Sequence, residues 1–182
     1  MTPWRRPVHP MRSRFPFPIR PSPRDILPRL APGMTYLMIL ENTSLSVEVG
    51  QSVKTVRLSK YQNRKGEEWS LEKYTYEKKE YYRIKNTFTG KYLAINPVTG
   101  QTVTYTITLV SSHEVRRSMR GSWRIVRNRN GSFSMINVQS NLSLSYSEKS
   151  RTKLTLRSFA SLPSQHFYFY DCALCRLSLI HI

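Results

Sequence analysis

Between residues 35 and 171 the chain alternates apolar and polar positions in short runs, punctuated by Gly, Asn and Ser. Leu45-Ser46-Val47-Glu48-Val49, Tyr92-Leu93-Ala94-Ile95, Leu142-Ser143-Leu144 and Leu154-Thr155-Leu156 are examples, rich in β-branched and long apolar residues. A period of two sends successive side chains to opposite faces of a strand. No run of ten or more residues carries a capped apolar stripe at helical spacing. Many short strands about 8–12 residues apart predict an all-β barrel or sandwich.

The strands recur in a threefold order. Each unit opens on a strand ending in Asn, at Asn42, Asn86 and Asn137. An apolar pair follows, Val47/Val49, Leu93/Ile95 and Leu142/Leu144, beginning 5, 7 and 5 positions after the Asn. Third strands are expected at Val56-Arg57-Leu58, Val103-Thr104-Tyr105 and Leu154-Thr155-Leu156, and the units close on Trp69, Trp123 and Phe167. The step from third strand to closing ring is 13 residues in the outer units and 20 in the middle one, which places a seven-residue insertion near residues 111–121. One such unit is too small to bury its own apolar face. Three around a pseudo-threefold axis share one core, floored by the three rings, and leave few open sheet edges.

Pro32-Gly33-Met34-Thr35-Tyr36, the Tyr-x-Ile-x-Asn opening at Tyr82, Thr89-Gly90-Lys91-Tyr92-Leu93 and the closing Glu67-Glu68-Trp69 resemble the ricin-B-like β-trefoil family, in particular the small intracellular lectin-like proteins of mushrooms. The resemblance spans about 140 of the 182 residues and implies a non-enzymatic, carbohydrate-binding β-trefoil. The family's marker is Gln-x-Trp near the end of each repeat. Here the three copies read Glu67-Glu68-Trp69, Gly121-Ser122-Trp123 and Gln165-His166-Phe167, each lacking one element.

A sugar site needs an aromatic face for the C–H side of the ring and a planar polar group to grip paired hydroxyls, best a carboxylate. In the resembled family an Asp between the two apolar residues of the second strand supplies that group, and the matching positions are Glu48, Ala94 and Ser143. Only the first repeat keeps an acid. The resemblance implies a carbohydrate site of Glu48, Tyr61 as the stacking ring, and Asn63 and Glu67 as polar partners. The alternative is that Glu48 is a solvated residue on an alternating strand and Tyr61 is packing at the rim. Degenerate sites of this kind imply weak, single-site affinity for glycan.

There are 29 Lys+Arg against 11 Asp+Glu, a formal net charge of +18. Arg116, Arg117, Arg120, Arg124, Arg127 and Arg129 form the densest basic run, with no acid among them and with Trp123 at their centre. Guanidinium forks suit phosphate, sulfate and carboxylate, so RNA, a sulfated glycan or another anionic polymer is a possible partner. The alternative is a solvated face with Trp123 buried. A second alternative, by likeness of fold alone, is a β-trefoil protease inhibitor using the inserted loop at residues 111–121.

Nine of the eleven prolines and seven arginines fall in residues 1–32, which are expected to be an extended, disordered arm; the β-trefoil domain is expected at 33–171 and a short apolar tail at 172–182. The prolines forbid the amphipathic helix of a transit peptide, and no signal peptide is seen, so a cytoplasmic or unconventionally secreted protein is expected. Cys172 and Cys175 offer two ligands where a structural zinc needs four, and no metal or cofactor is expected. The four histidines are scattered, and no Ser-His-acid spacing stands out, so no catalytic residue is assigned.

Overall fold

The computed structural model describes residues 30–31, 33–50, 52, 55–150 and 152–173. Nearly all of the expected arm, and the tail beyond residue 173 with Cys175, lie outside them. The alternating runs form twelve strands. In chain order they are β1 (Thr35–Leu40), β2 (Leu45–Val49), β3 (Val56–Lys60), β4 (Trp69–Tyr76), β5 (Lys79–Asn86), β6 (Tyr92–Val98), β7 (Thr104–Val110), β8 (Trp123–Arg127), β9 (Phe133–Asn137), β10 (Ser143–Tyr146), β11 (Leu154–Arg157) and β12 (Phe167–Asp171).

Six of them close a ring. β1 pairs with β4 and β12, β5 with β4 and β8, and β9 with β8 and β12, all antiparallel. The hairpins β2–β3, β6–β7 and β10–β11 each attach to one ring strand, and β3, β7 and β11 meet one another across one end. A six-stranded barrel capped by three hairpins is a β-trefoil. Closure satisfies the ring strands' backbone on both sides, which an open sheet of this size would not do.

Trp69, Trp123 and Phe167 are 0% exposed and share one cluster with Val47, Leu93 and Leu144, also 0% exposed. The three rings are the pillars of a common interior, as expected. Each tryptophan also brings a donor to its own hairpin: Trp69 Nε1–H donates to the Val47 carbonyl at 2.8 Å and Trp123 Nε1–H to the Leu93 carbonyl at 2.9 Å.

Strand register sets the true equivalences of the repeats. Trp69 pairs with Asn86, Trp123 with Asn137 and Phe167 with Leu40. The counterpart of Asn86 and Asn137 is therefore Leu40, and Asn42 is a correction: it is exposed, in a turn with φ 58°. Asn86 and Asn137 earn their burial by bracing the 3₁₀ turn that precedes the closing Trp. Asn86 Nδ2 donates to the carbonyls of Gly66 and Glu68, and Asn137 Nδ2 to those of Arg120 and Ser122. Likewise Leu144, not Leu142, matches Val47 and Leu93. With both shifts the uneven spacing becomes a uniform seven residues, Leu40 to Val47, Asn86 to Leu93 and Asn137 to Leu144.

The middle repeat differs from expectation too. Val47 pairs with Leu58, Leu93 with Leu109 and Leu144 with Leu156, so the matching third strand is β7 at Leu109, not Val103–Tyr105. Most of the extra length extends the β6–β7 hairpin, and the remainder makes room for α1 (Ser112–Arg117) ahead of the 3₁₀ turn at Met119–Gly121, whose counterparts are Lys65–Glu67 and Pro163–Gln165. Ser111 caps α1 by accepting from the Glu114 N–H. Val115, 1% exposed, pins the helix onto Tyr92, Ala94 and Val110. The inserted segment is packed down rather than projecting.

Candidate functional site

The first repeat carries the one acid at the family position, and the strand pairing dictates what it meets. Glu48 on β2 lies directly across from Arg57 on β3. Directly opposed side chains on one face are within reach of each other. The Glu48 carboxylate oxygen Oε1 accepts from Arg57 Nε at 2.9 Å and from Arg64 Nη1 at 3.5 Å. Its side chain is 2% exposed, whereas Arg57 and Arg64 are 41% and 45% exposed. The acid is thus the buried anchor of two half-open guanidinium groups.

Beside this cluster lies a cavity of about 240 Å³ lined by Glu48, Val49, Gly50, Arg57, Arg64, Lys65, Gly66 and Phe88. The 3₁₀ turn Lys65–Glu67 abuts the end of β2 so closely that a Cβ on Gly66 would stand 2.8 Å from the Val49 carbonyl oxygen. That approach swings Lys65 to the cavity mouth. Phe88 reaches in from the turn between β5 and β6, in the second repeat, and is 59% exposed.

The residues assigned by resemblance divide. Glu48 lines the cavity. Tyr61 is 6% exposed and packs with Leu37, Ile39, Tyr168, Tyr170 and Cys172, so it presents no open ring for stacking; this corrects the expectation in favour of packing. Asn63 is exposed with φ 56°, and its Oδ1 accepts from the Tyr61 hydroxyl at 3.3 Å. Glu67 is 0% exposed, and its carboxylate accepts from the backbone N–H of Gln62 at 3.2 Å and of Arg64 at 2.7 Å. Burial pushes its carboxyl above the ordinary value, against those two N–H bonds, with the Glu48 charge adding to the rise. Glu67 braces the loop from inside and has no hydroxyl-facing edge, a second correction. Arg57, Arg64, Lys65 and Phe88 were missed. Arg57 was legible as the cross-strand partner of Glu48, and Phe88 as an apolar residue in an Asn-Thr-Phe-Thr-Gly turn.

Among the described residues, neither of the other repeats has an acid at the matching position. In the second, Ala94 replaces the acid and Arg120 lies over the strand, donating to the Ile95 carbonyl at 2.9 Å and to Asn96 Oδ1 at 3.1 Å. In the third, the shifted equivalence puts Ser145 rather than Ser143 at the acid position. Ser145 Oγ accepts from Gln165 Nε2 at 3.1 Å, and Phe159 stands exposed at the position matching Tyr61.

The six arginines do not converge. Arg116 and Arg117 end α1, Arg120 is spent on β6, and Arg124 donates to Asn141 Oδ1 at 2.9 Å. Arg127 and Arg129 line a second cavity of about 410 Å³ with Asn128, Asn130, Ser161 and His166. Trp123 is buried, as the packing alternative required.

At that cavity the fold brings together what spacing did not reveal. The Ser161 hydroxyl is 3.2 Å from His166 Nε2, and His166 Nδ1 is 2.7 Å from Glu41 Oε2. Asn130 Nδ2 donates to Glu41 Oε1 at 2.8 Å. This is the hydroxyl–imidazole–carboxylate order of a serine hydrolase. Its parts have structural duties, however. The positive φ of Ser161 (51°) recurs at its repeat counterpart Asn63, and the Glu41 N–H also bonds the His166 carbonyl at 2.9 Å. The chain of bonds ties the loop before β12 to the β1–β2 turn. Among the described residues no three of His, Cys, Asp and Glu gather as a metal would require, and no helix is long and apolar enough to cross a membrane.

Residues 65–157 match the family described as ricin-type beta-trefoil lectin domain-like. No curated protein matches the chain. Among solved structures, the Macrolepiota procera ricin B-like lectin in complex with lactose is 15% identical, with a TM-score of 0.62 over 79% of this chain and 99% of that one. The designed threefold-symmetric protein ThreeFoil is also 15% identical, with a TM-score of 0.63 over 75% of this chain and 98% of that one. A Clostridium perfringens endo-β-galactosidase that releases GlcNAcα1-4Gal is 19% identical over 76% of this chain but only 32% of its own length, with a TM-score of 0.60.

Proposed function

The chain belongs to the ricin-type β-trefoil lectin domain-like family, and from that premise we propose that it is a carbohydrate-binding module with one surviving, degenerate site, the first-repeat cavity around Glu48. The family is generally non-enzymatic, and this chain acts by binding alone. The observation that carries the reading is a cavity of about 240 Å³ at the family's acid position, where the Glu48–Arg57–Arg64 cluster meets the exposed ring of Phe88. Phe88 takes over the apolar role that the buried Tyr61 has lost. The second and third repeats lack the acid, so binding is monovalent and without the avidity of an intact threefold lectin. A glycan array tests this, with Glu48→Ala and Phe88→Ala as controls. Signal abolished by both variants supports it. Silence of the wild-type protein at high concentration abandons it.

A second reading, an interaction module for an anionic polymer, draws on the +18 charge and on Arg127 and Arg129 at the larger cavity. Binding of this kind falls steeply with salt, so affinity that persists unchanged at high salt rejects it.

A further inference from the structure

We propose that the first-repeat cavity selects a saccharide bearing a carboxylate or sulfate, in place of the neutral sugar for which an acid-lined site is built; this rests on the carbohydrate-binding reading and names its ligand class. In a neutral-sugar site the carboxylate faces the ligand and accepts from its hydroxyls. Here the arrangement is turned inside out. The Glu48 carboxylate lies 2% exposed beneath Arg57 and Arg64, and one of its oxygens receives a donor from each.

The cavity therefore presents cations. Arg57, Arg64 and Lys65 line it against the one acid, a local excess of two positive charges. Arg57 spends its Nε on Glu48, which leaves the planar fork of its two terminal nitrogens at the edge away from the anchor. A guanidinium held by a buried carboxylate loses little further freedom on binding, and its fork matches the two oxygens of a carboxylate or sulfate. Phe88, 59% exposed at the rim, supplies the apolar face that distinguishes a sugar from a bare anion. The Arg57 fork, the charges of Arg64 and Lys65 and the Phe88 ring, lining one cavity of about 240 Å³, suit a single acidic sugar residue.

The experiment is titration calorimetry on the full chain with glucuronic acid, N-acetylneuraminic acid and galactose 3-sulfate, beside galactose, N-acetylgalactosamine and inorganic sulfate. Lys65→Gln and Phe88→Ala change only exposed side chains and preserve the fold. Arg116→Gln/Arg117→Gln removes charge elsewhere. The expected result is binding of an acidic sugar, weakened about tenfold by Lys65→Gln and by Phe88→Ala and unchanged in the arginine control. Neutral sugars bound as well as acidic ones overturn this inference and leave the carbohydrate-binding reading standing. Sulfate bound as tightly as the sulfated sugar, or equal loss in the arginine control, overturns it in favour of a general anion surface. Silence toward every sugar removes both readings.

Discussion

Glu67→Gln should stabilise this protein, although it deletes a charge that accepts two backbone hydrogen bonds. The third repeat is the guide. Gln165 holds the matching position, accepts from the Ala160 N–H through Oε1 at 2.9 Å, and donates through Nε2 to Ser145 Oγ at 3.1 Å and the Ser158 carbonyl at 2.8 Å. Glu67 performs the accepting half of that work, toward Gln62 and Arg64, with a carboxylate that is 0% exposed. Where Gln165 donates to Ser145, Glu67 has the Glu48 carboxylate nearby, and two acids repel. A glutamine would place a donor there.

The gain is a hydrogen bond to a charged group, about 1.5–3 kcal/mol. Against it stands the loss of charge assistance in the two backbone bonds, about 1 kcal/mol in total. The net is about 1 kcal/mol, or roughly 2–4 °C in Tm for a domain of this size. The pH dependence has a definite sign. A carboxyl whose folded value is raised binds its proton more tightly in the folded state. Its contribution to stability is therefore full below the ordinary glutamate value and is lost as pH rises through the raised one. Thermal unfolding followed by circular dichroism, from about pH 4 to pH 8, should show the variant ahead at neutral pH and the gap closing as pH falls. A variant less stable than wild type at neutral pH, or a gap that widens in acid, refutes the reasoning.

Trp69→Phe imitates the third repeat, but there Ser143 Oγ approaches the Leu144 carbonyl at 3.5 Å where no indole donates. At Trp69 the Val47 carbonyl would be left bare beside a void, so chemical denaturation should report a loss of about 2–4 kcal/mol, and a cost under about 1 kcal/mol contradicts this. Gly66→Ala drives a Cβ to 2.8 Å from backbone at Val49 and should cost about 1–3 kcal/mol by the same measurement; an unchanged midpoint argues against so tight a turn. The Ser161–His166–Glu41 chain is expected to be structural: a fluorophosphonate probe should leave Ser161 unlabelled, while Glu41→Gln should lower Tm by about 2–4 °C. Labelling of Ser161 would assign it a nucleophile's role.

The barrel was legible because its code is local. Alternation at Leu45–Val49 and the rings at Trp69, Trp123 and Phe167 need only a strand's period of two and the insolubility of aromatic surface to declare which side is core. Three copies of that signal are enough to require a shared interior. Equivalence within the copies was less legible: Asn42 looks like its fellows in sequence, yet the pairing of Phe167 with Leu40, where Trp69 pairs with Asn86 and Trp123 with Asn137, puts Leu40 in that place. What the chain alone leaves open is which side chains meet across the closed ring. Glu48 and Arg57 are neighbours by hairpin register, but Phe88 enters the same cavity from another repeat, and Glu41 reaches His166 across 125 residues. Such meetings follow from how twelve strands close, and a linear pattern of polar and apolar positions carries no record of that closure. Tertiary structure alone decided that the acid lies beneath its arginines instead of facing a sugar, because burial depends on everything packed around the site and not on the residue that bears the charge.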